Sequence, residues 1–164
     1  MNIELNSLNK GLKKIIVAYL FTLTIGVIVG ILFIRQTTDL SPDGAVERFK
    51  GSQVESELDV PENYAKSISE MLMTTHNHVI GFSFIFGSLA VIFYFNTIII
   101  GFWKKFLTIE PFVSIILTFG SIWGMRYLHP DFVYLTIVSS TILYVSFFVM
   151  AGVSFYELLF KKAN

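Results

Sequence analysis

The sequence predicts an all-α membrane protein: a four-helix transmembrane bundle, up-down-up-down, forming a single membrane domain over residues 1–164. Three observations carry that expectation. Hydrophobic residues make up 54% of the chain and charged ones only 15%, against about 25% charged in soluble domains, so polar atoms are too few to cover a water-facing surface. The charges gather at the ends of long uncharged runs, whose lengths suit a lipid crossing of about 20 residues. Lipid cannot satisfy stray backbone N–H and C=O groups, which makes those runs helices.

Residues 15–34 form the first run, flanked by Lys13, Lys14 and Arg35. It is longer than the apolar part of a secretory signal, and Leu32-Phe33-Ile34-Arg35 has no small-residue cleavage site, so it reads as an uncleaved signal anchor. The second span is expected over 79–103, closed by Lys104-Lys105. The third is expected over 106–126, apolar except for Glu110-Pro111. From Pro111 its uncharged part is short, about 22 Å at 1.5 Å per residue. Arg126 and Tyr127 lengthen it by snorkelling and anchoring, which leaves Glu110 at headgroup level. The fourth span, 132–157, ends at Glu157 and Lys161-Lys162.

Charge asymmetry sets the expected orientation. With four spans, Lys10, Lys13, Lys14, Lys104, Lys105, Lys161 and Lys162 share one side with Glu4, Glu110 and Glu157, while the other side is acidic. The positive-inside rule then puts both termini in the cytoplasm. The expected setting is a bacterial inner membrane, with the protein in contact with lipids and with other subunits of a membrane complex.

Residues 35–78 are the exported segment, too short and polar for a core of their own. Ser41-Pro42-Asp43-Gly44 is a helix start: a capping hydroxyl, proline in the first turn, an acid at the positive dipole end. Ala45, Val46 and Phe49 supply one apolar side, and Gly51 ends the helix. Residues 51–59 read as an acidic surface loop. Asp59-Val60-Pro61-Glu62 reads as a second capping box, followed by Tyr64, Ile68, Met71, Leu72 and Thr75 at helical spacing. The second span is therefore expected to start as a helix outside the lipid. These pieces either roof the bundle or offer a docking surface. Within the lipid, Gly26-x-x-x-Gly30 and Gly120-x-x-x-Gly124 are patterns that let helix backbones touch.

The absence of cysteine excludes disulfides, thiol nucleophiles, Cys-based metal centres and covalent haem c. Twelve basic residues balance twelve acidic ones, so charge gives no argument for nucleic acid. No Ser-His-Asp order, phosphate loop or His-Glu-x-x-His motif is present, and no stand-alone catalytic activity is expected. The three long runs hold no ionisable group at mid-membrane, which argues against a pump.

The remaining chemistry lies in His76, His78 and His129, all near the extracytoplasmic surface. At 100° per residue His76 shares a face with Ser83, Gly87, Ala90 and Tyr94; His78 shares one with Phe82, Ile85, Leu89, Ile92 and Asn96. The first face is small and slightly polar, so it is expected to point inward, and the second toward lipid or a partner. The two rings stand about 160° apart and cannot chelate one ion together. A b-type haem suits this arrangement. His76 and His129 would be the axial ligands, with Met71, Met73 and Met125 in reserve. Ser83 and Gly87 leave room for the ring, and Arg35 and Arg126 pair with the propionates.

The expected function is then electron transfer within a respiratory or photosynthetic complex, at an edge accessible to an extracytoplasmic carrier. The alternatives are a cofactor-free accessory subunit and a mononuclear metal site of His76, His129 and Asp131, or one using His78. A sensor lacks an output domain.

Two motifs carry a resemblance. Thr37-Thr38-x-Leu40-Ser41-Pro42-x-Gly44, continued by Glu47-Arg48-Phe49-x-Gly51, precedes Thr75-His76-x-His78. In this the chain resembles uncharacterised small multi-span bacterial inner-membrane proteins with a Leu-Ser-Pro turn after the first span and Thr-His-x-His before the second. The likeness covers about half the chain. It implies that both motifs belong to one membrane module and implies no ligand.

Overall fold

The computed structural model describes residues 4–52 and 60–161. All of its regular structure is helical among those residues: a single 3-10 turn at Leu5–Ser7, then α1 (Lys10–Thr38), α2 (Pro42–Lys50), α3 (Ile68–Tyr94), α4 (Gly101–Tyr127) and α5 (Phe132–Leu159). Four of these, α1, α3, α4 and α5, are long and apolar enough to cross a membrane. At 27 to 29 residues each, they reach about 40 Å at 1.5 Å per residue, the hydrocarbon plus part of both headgroup layers.

α3, α4 and α5 form the packed core, with aromatic rings as its filling. Phe82 meets Phe119 at 6.1 Å between ring centres, and Phe86 meets Phe147 edge-on at 6.1 Å. Phe86, Leu89, Phe93, Ile115, Met125, Leu143, Phe147 and Met150 are all but inaccessible. α1 is attached differently. Only Leu20, Val27 and Thr38 of its 29 residues are buried, against ten residues in each of α4 and α5.

α2 lies across one end of the bundle, against α1, α4 and α5, so it roofs the helices there. Its expected start is confirmed: the Ser41 hydroxyl accepts from Gly44 N at 3.0 Å, with Pro42 in the first turn and Asp43 at the dipole end. The corner before it is tight. Asp39 and Leu40 both adopt left-handed backbone (φ 49° and 53°), and a Cβ on Gly44 would lie 2.3 Å from the Thr38 carbonyl oxygen. Gly51 ends the helix at φ 90°.

Three expected boundaries move. The capping box that starts α3 is Ser67 with Glu70, each side chain bonded to the other's backbone N–H. Residues 60–67 are not helical; Asp59, with the rest of the acidic stretch 53–59, lies outside the described residues. The helix expected over 79–103 stops at Tyr94, and α4 begins at Gly101 instead of 106. Asn96 makes that break. Its side-chain oxygen accepts from Ile98 N (3.0 Å) and Ile99 N (2.8 Å), an Asx turn that competes with helix. Lys104 then donates to the Tyr94 and Asn96 carbonyls at 3.1 and 2.6 Å, completing the C-terminus of α3.

The glycine patterns do not join helices as expected. A Cβ on Gly26, Gly30 or Gly120 would meet nothing within 4 Å. Gly124 alone of the four is crowded, its Cβ position 2.7 Å from the Phe132 ring across the α4–α5 turn.

Candidate functional site

Of the expected haem residues, His76, His129, Arg35 and Arg126 fall at the α2 end of the bundle, whereas Ser83 and Gly87 lie past the midpoint of α3. His76 is exposed on α3, so the inward orientation expected for it is corrected. His78 is exposed as well, as expected for a side toward lipid or a partner, but it stands on the edge of the packed aromatic face. Its ring lies 5.5 Å from Phe119 and 6.0 Å from Phe82, and its Nδ1 is 2.8 Å from the Thr74 carbonyl. The reason is packing: the phenylalanines of α3, α4 and α5 interlock through the bulky face, which overrides the rule that small residues face inward.

His129 is exposed and pairs within its own turn, Nδ1 lying 3.3 Å from an Asp131 carboxylate oxygen. Ser83 returns its hydroxyl to the Val79 carbonyl at 2.7 Å, and Gly87 faces open space. Arg35 is exposed at the end of α1. Arg126 is committed, its Nε donating to the Lys66 carbonyl at 3.0 Å while the guanidinium lies over Tyr127 at 4.9 Å. Of the reserve ligands, Met71 and Met125 are buried in the core and Met73 is exposed. Among the described residues no three His, Cys, Asp or Glu side chains converge as a metal site.

The same end is knitted together by polar bonds. Ser52 N donates to the Asn63 carbonyl and Lys66 N to that of Phe49, at 2.9 and 3.0 Å. The Glu47 carboxylate accepts from the Ser52 hydroxyl and from Asn63 Nδ2. Those donors, Ser52 first, hold its carboxyl below the usual carboxylate range. Arg48 stands over the Phe33 ring at 5.0 Å, and burial there lowers its guanidinium. Trp123 Nε1 donates to Thr75 Oγ1 at 2.8 Å, joining α4 to α3.

A second polar system lies inside the bundle, along the α4–α5 contact. Ser121 bonds Thr136 and Thr118 bonds Ser139, each at 2.7 Å between hydroxyls. Further along, Glu110 accepts from Ser146 at 2.9 Å and from Ser114 on its own helix. The partner numbers decrease on one helix as they rise on the other, which is the register of an antiparallel pair. Because α4 begins at Gly101, Glu110 is its tenth residue, and its partner Ser146 sits at the middle of α5. Glu110, expected at headgroup level, thus lies within α4 and not at its end. The sequence signal was Asn96 and Gly101, the two turn residues that move the helix start back and Glu110 inward.

Toward the end carrying the termini, the fully buried Glu157 accepts from Thr97 N at 2.8 Å and Thr97 Oγ1 at 2.6 Å. Lys161 donates to the same hydroxyl. This ties the α3–α4 loop to the end of α5.

Between α1 and the core runs an apolar groove of about 330 Å³, bounded by Leu23, Gly26 and Gly30 on α1, Phe82 and Ile85 on α3 and Tyr144 on α5. At its edge the Tyr19 and Ser88 hydroxyls are hydrogen bonded. No histidine lines it.

No curated protein matches the chain, and no solved structure does either. A family model does: residues 39–164, from the residue that closes α1 through all of α2 to α5, match Aq_1264_TM, described as a transmembrane helical domain. With four membrane-crossing helices and more than half its length matched, this multi-pass membrane protein belongs to that transmembrane helical domain family.

Proposed function

We propose that the chain is an accessory subunit that stabilises a larger complex in a bacterial inner membrane, with both termini in the cytoplasm as its lysines imply. One observation carries this reading: α1 is apolar along its length yet thinly attached, and Gly26 and Gly30 face an open groove in place of a neighbouring helix. Small residues on a membrane helix let another backbone come close. In this reading they receive a transmembrane helix of another subunit, while α3–α5 supply the rigid support.

The haem b alternative gains no support from the geometry, because His76 and His129 are exposed, neither lines the groove, and Arg126 is held by Lys66. Purification from haem-replete membranes in mild detergent tests both readings. The accessory reading expects a stoichiometric partner, a preparation without a Soret band, and loss of the partner in Gly26→Leu/Gly30→Leu with the fold intact. A lone, monodisperse chain would refute it. A Soret band abolished by His76→Ala would restore the haem.

A further inference from the structure

We propose that the free subunit holds one phospholipid from the leaflet on the α2 side, with its phosphate on Arg48 and one acyl chain in the groove between α1 and the core.

Arg48 supplies the charge. Its guanidinium lies 5.0 Å over the Phe33 ring. The uncharged run of α1 ends at Ile34, so Phe33 stands at the boundary of hydrocarbon and headgroups, the level of lipid phosphates. Arg48 has no hydrogen-bond or ion-pair partner among the described residues. Its neighbour Glu47 is turned to Ser52 and Asn63. Lys66 is taken by Glu70, and Arg126 by the Lys66 carbonyl, while Arg35 and Lys50 are exposed. Among the described cations of this end, Arg48 alone is both half-buried and unpaired. A guanidinium stacked on a ring keeps its in-plane N–H donors free, and their fork fits a phosphate.

The groove supplies the place for a chain. Phe33 follows Gly30 by one turn of α1, a rise of about 4.5 Å, and Gly30 bounds the groove. From there the groove runs past Gly26 to Leu23, with Phe82 and Ile85 opposite. A Cβ on either glycine would meet nothing within 4 Å, so the groove is open along this line. Hydrocarbon tails enter such a gap because a void forfeits van der Waals contact. What retains one particular molecule is the unpaired cation a turn above. Charge and groove together match an amphiphile carrying a phosphate, and match neither a free ion nor a bare hydrocarbon. The inference rests on the accessory reading in taking the groove as vacant before a partner arrives; the arriving helix displaces the chain.

Native mass spectrometry of the full chain in detergent, with phosphatidylglycerol as the probe, reads the bound lipid. The expected result is one phosphatidylglycerol retained per chain, with neither diacylglycerol of the same chains nor inorganic phosphate able to take its place. Arg48→Gln should weaken retention about tenfold or more, because a charge-assisted contact is lost. Lys50→Gln removes an exposed cation from the same helix and should not. Gly30→Leu puts a side chain into the groove and should also release the lipid. Full retention in Arg48→Gln or Gly30→Leu, an equal loss in Lys50→Gln, equal binding of diacylglycerol, or displacement by inorganic phosphate would overturn the proposal. If Arg48→Gln does not fold, the diacylglycerol comparison on the wild type decides alone. Partner co-purification is scored separately: a missing partner with the lipid retained refutes only the accessory reading, and the reverse refutes only this one.

Discussion

α1 and α5 are drawn from the same residue types, yet they relate to the rest of the molecule in opposite ways. Both contain a long uncharged run in which hydroxyl residues and glycine are scattered among branched and aromatic residues, the hydroxyls being threonine and tyrosine in α1, with serine added in α5. In α5 three hydroxyls fall on one stripe: Ser139, Ser146 and Ser154 are all buried, and the first two bond α4. In α1 they turn back on their own helix, Thr22 to the Ala18 carbonyl at 3.0 Å and Thr24 to that of Leu20 at 2.8 Å. Composition takes both helices into the lipid. Whether a helix then packs depends on placing its polar groups in one line, since lipid solvates apolar side chains as well as a neighbouring helix does.

The comparison can be broken most easily by removing bulk. Phe147→Ala should lower stability to unfolding in mixed micelles by about 3–5 kcal/mol, because its ring fills the centre of the α3–α5 contact. Phe21→Ala, whose ring is 62% exposed on α1, should change it by less than about 0.5 kcal/mol. Equal losses at the two sites would erase the distinction between core and attached helix.

Adding bulk gives a smaller contrast. Gly124→Leu forces a side chain into the Phe132 ring and should cost about 1–3 kcal/mol in the same assay. Gly26→Leu enters open space and should leave the isolated chain within about 0.5 kcal/mol of wild type. A destabilised Gly26→Leu would mean that α1 is seated more closely than the groove implies.

The gentlest test concerns the roof. The hydrogen bonds from Ser52 and Asn63 depress the Glu47 carboxyl in the folded protein. Their stabilising contribution is therefore complete above the ordinary carboxylate range and disappears as pH falls through the lowered value. Hydrogen exchange at the Ser52 and Lys66 amides should lose protection over that acid window, and Glu47→Gln should flatten the dependence. Protection that holds unchanged throughout would detach Glu47 from the docking of residues 60–66.

Much of this architecture was legible in the chain because its causes are local. Ser41-Pro42-Asp43 and Gly51 delimit α2 through their own backbone and capping chemistry, and the lysine clusters mark where uncharged runs stop. Asn96 is an uncharged turn-former inside an apolar run, so the placement of charge does not mark it, and charge alone starts the third span at 106 with Glu110 near its end. Neither the exposure of His76 nor the contact of His78 with Phe119 follows from α3 alone, because both depend on the rings that α4 and α5 bring to it.

Composition and run length by themselves determined that the chain is helical, crosses a membrane four times and carries a short capped helix after the first crossing. They act residue by residue, through backbone hydrogen bonding in lipid and the local cost of charge. Which face of α3 turns inward, that α1 is left beside an open groove, and that Glu110 meets Ser146 across the α4–α5 contact were decided only by the tertiary structure. Those outcomes depend on how rings and hydroxyls from three helices fit together, a steric match between segments that no one helix contains.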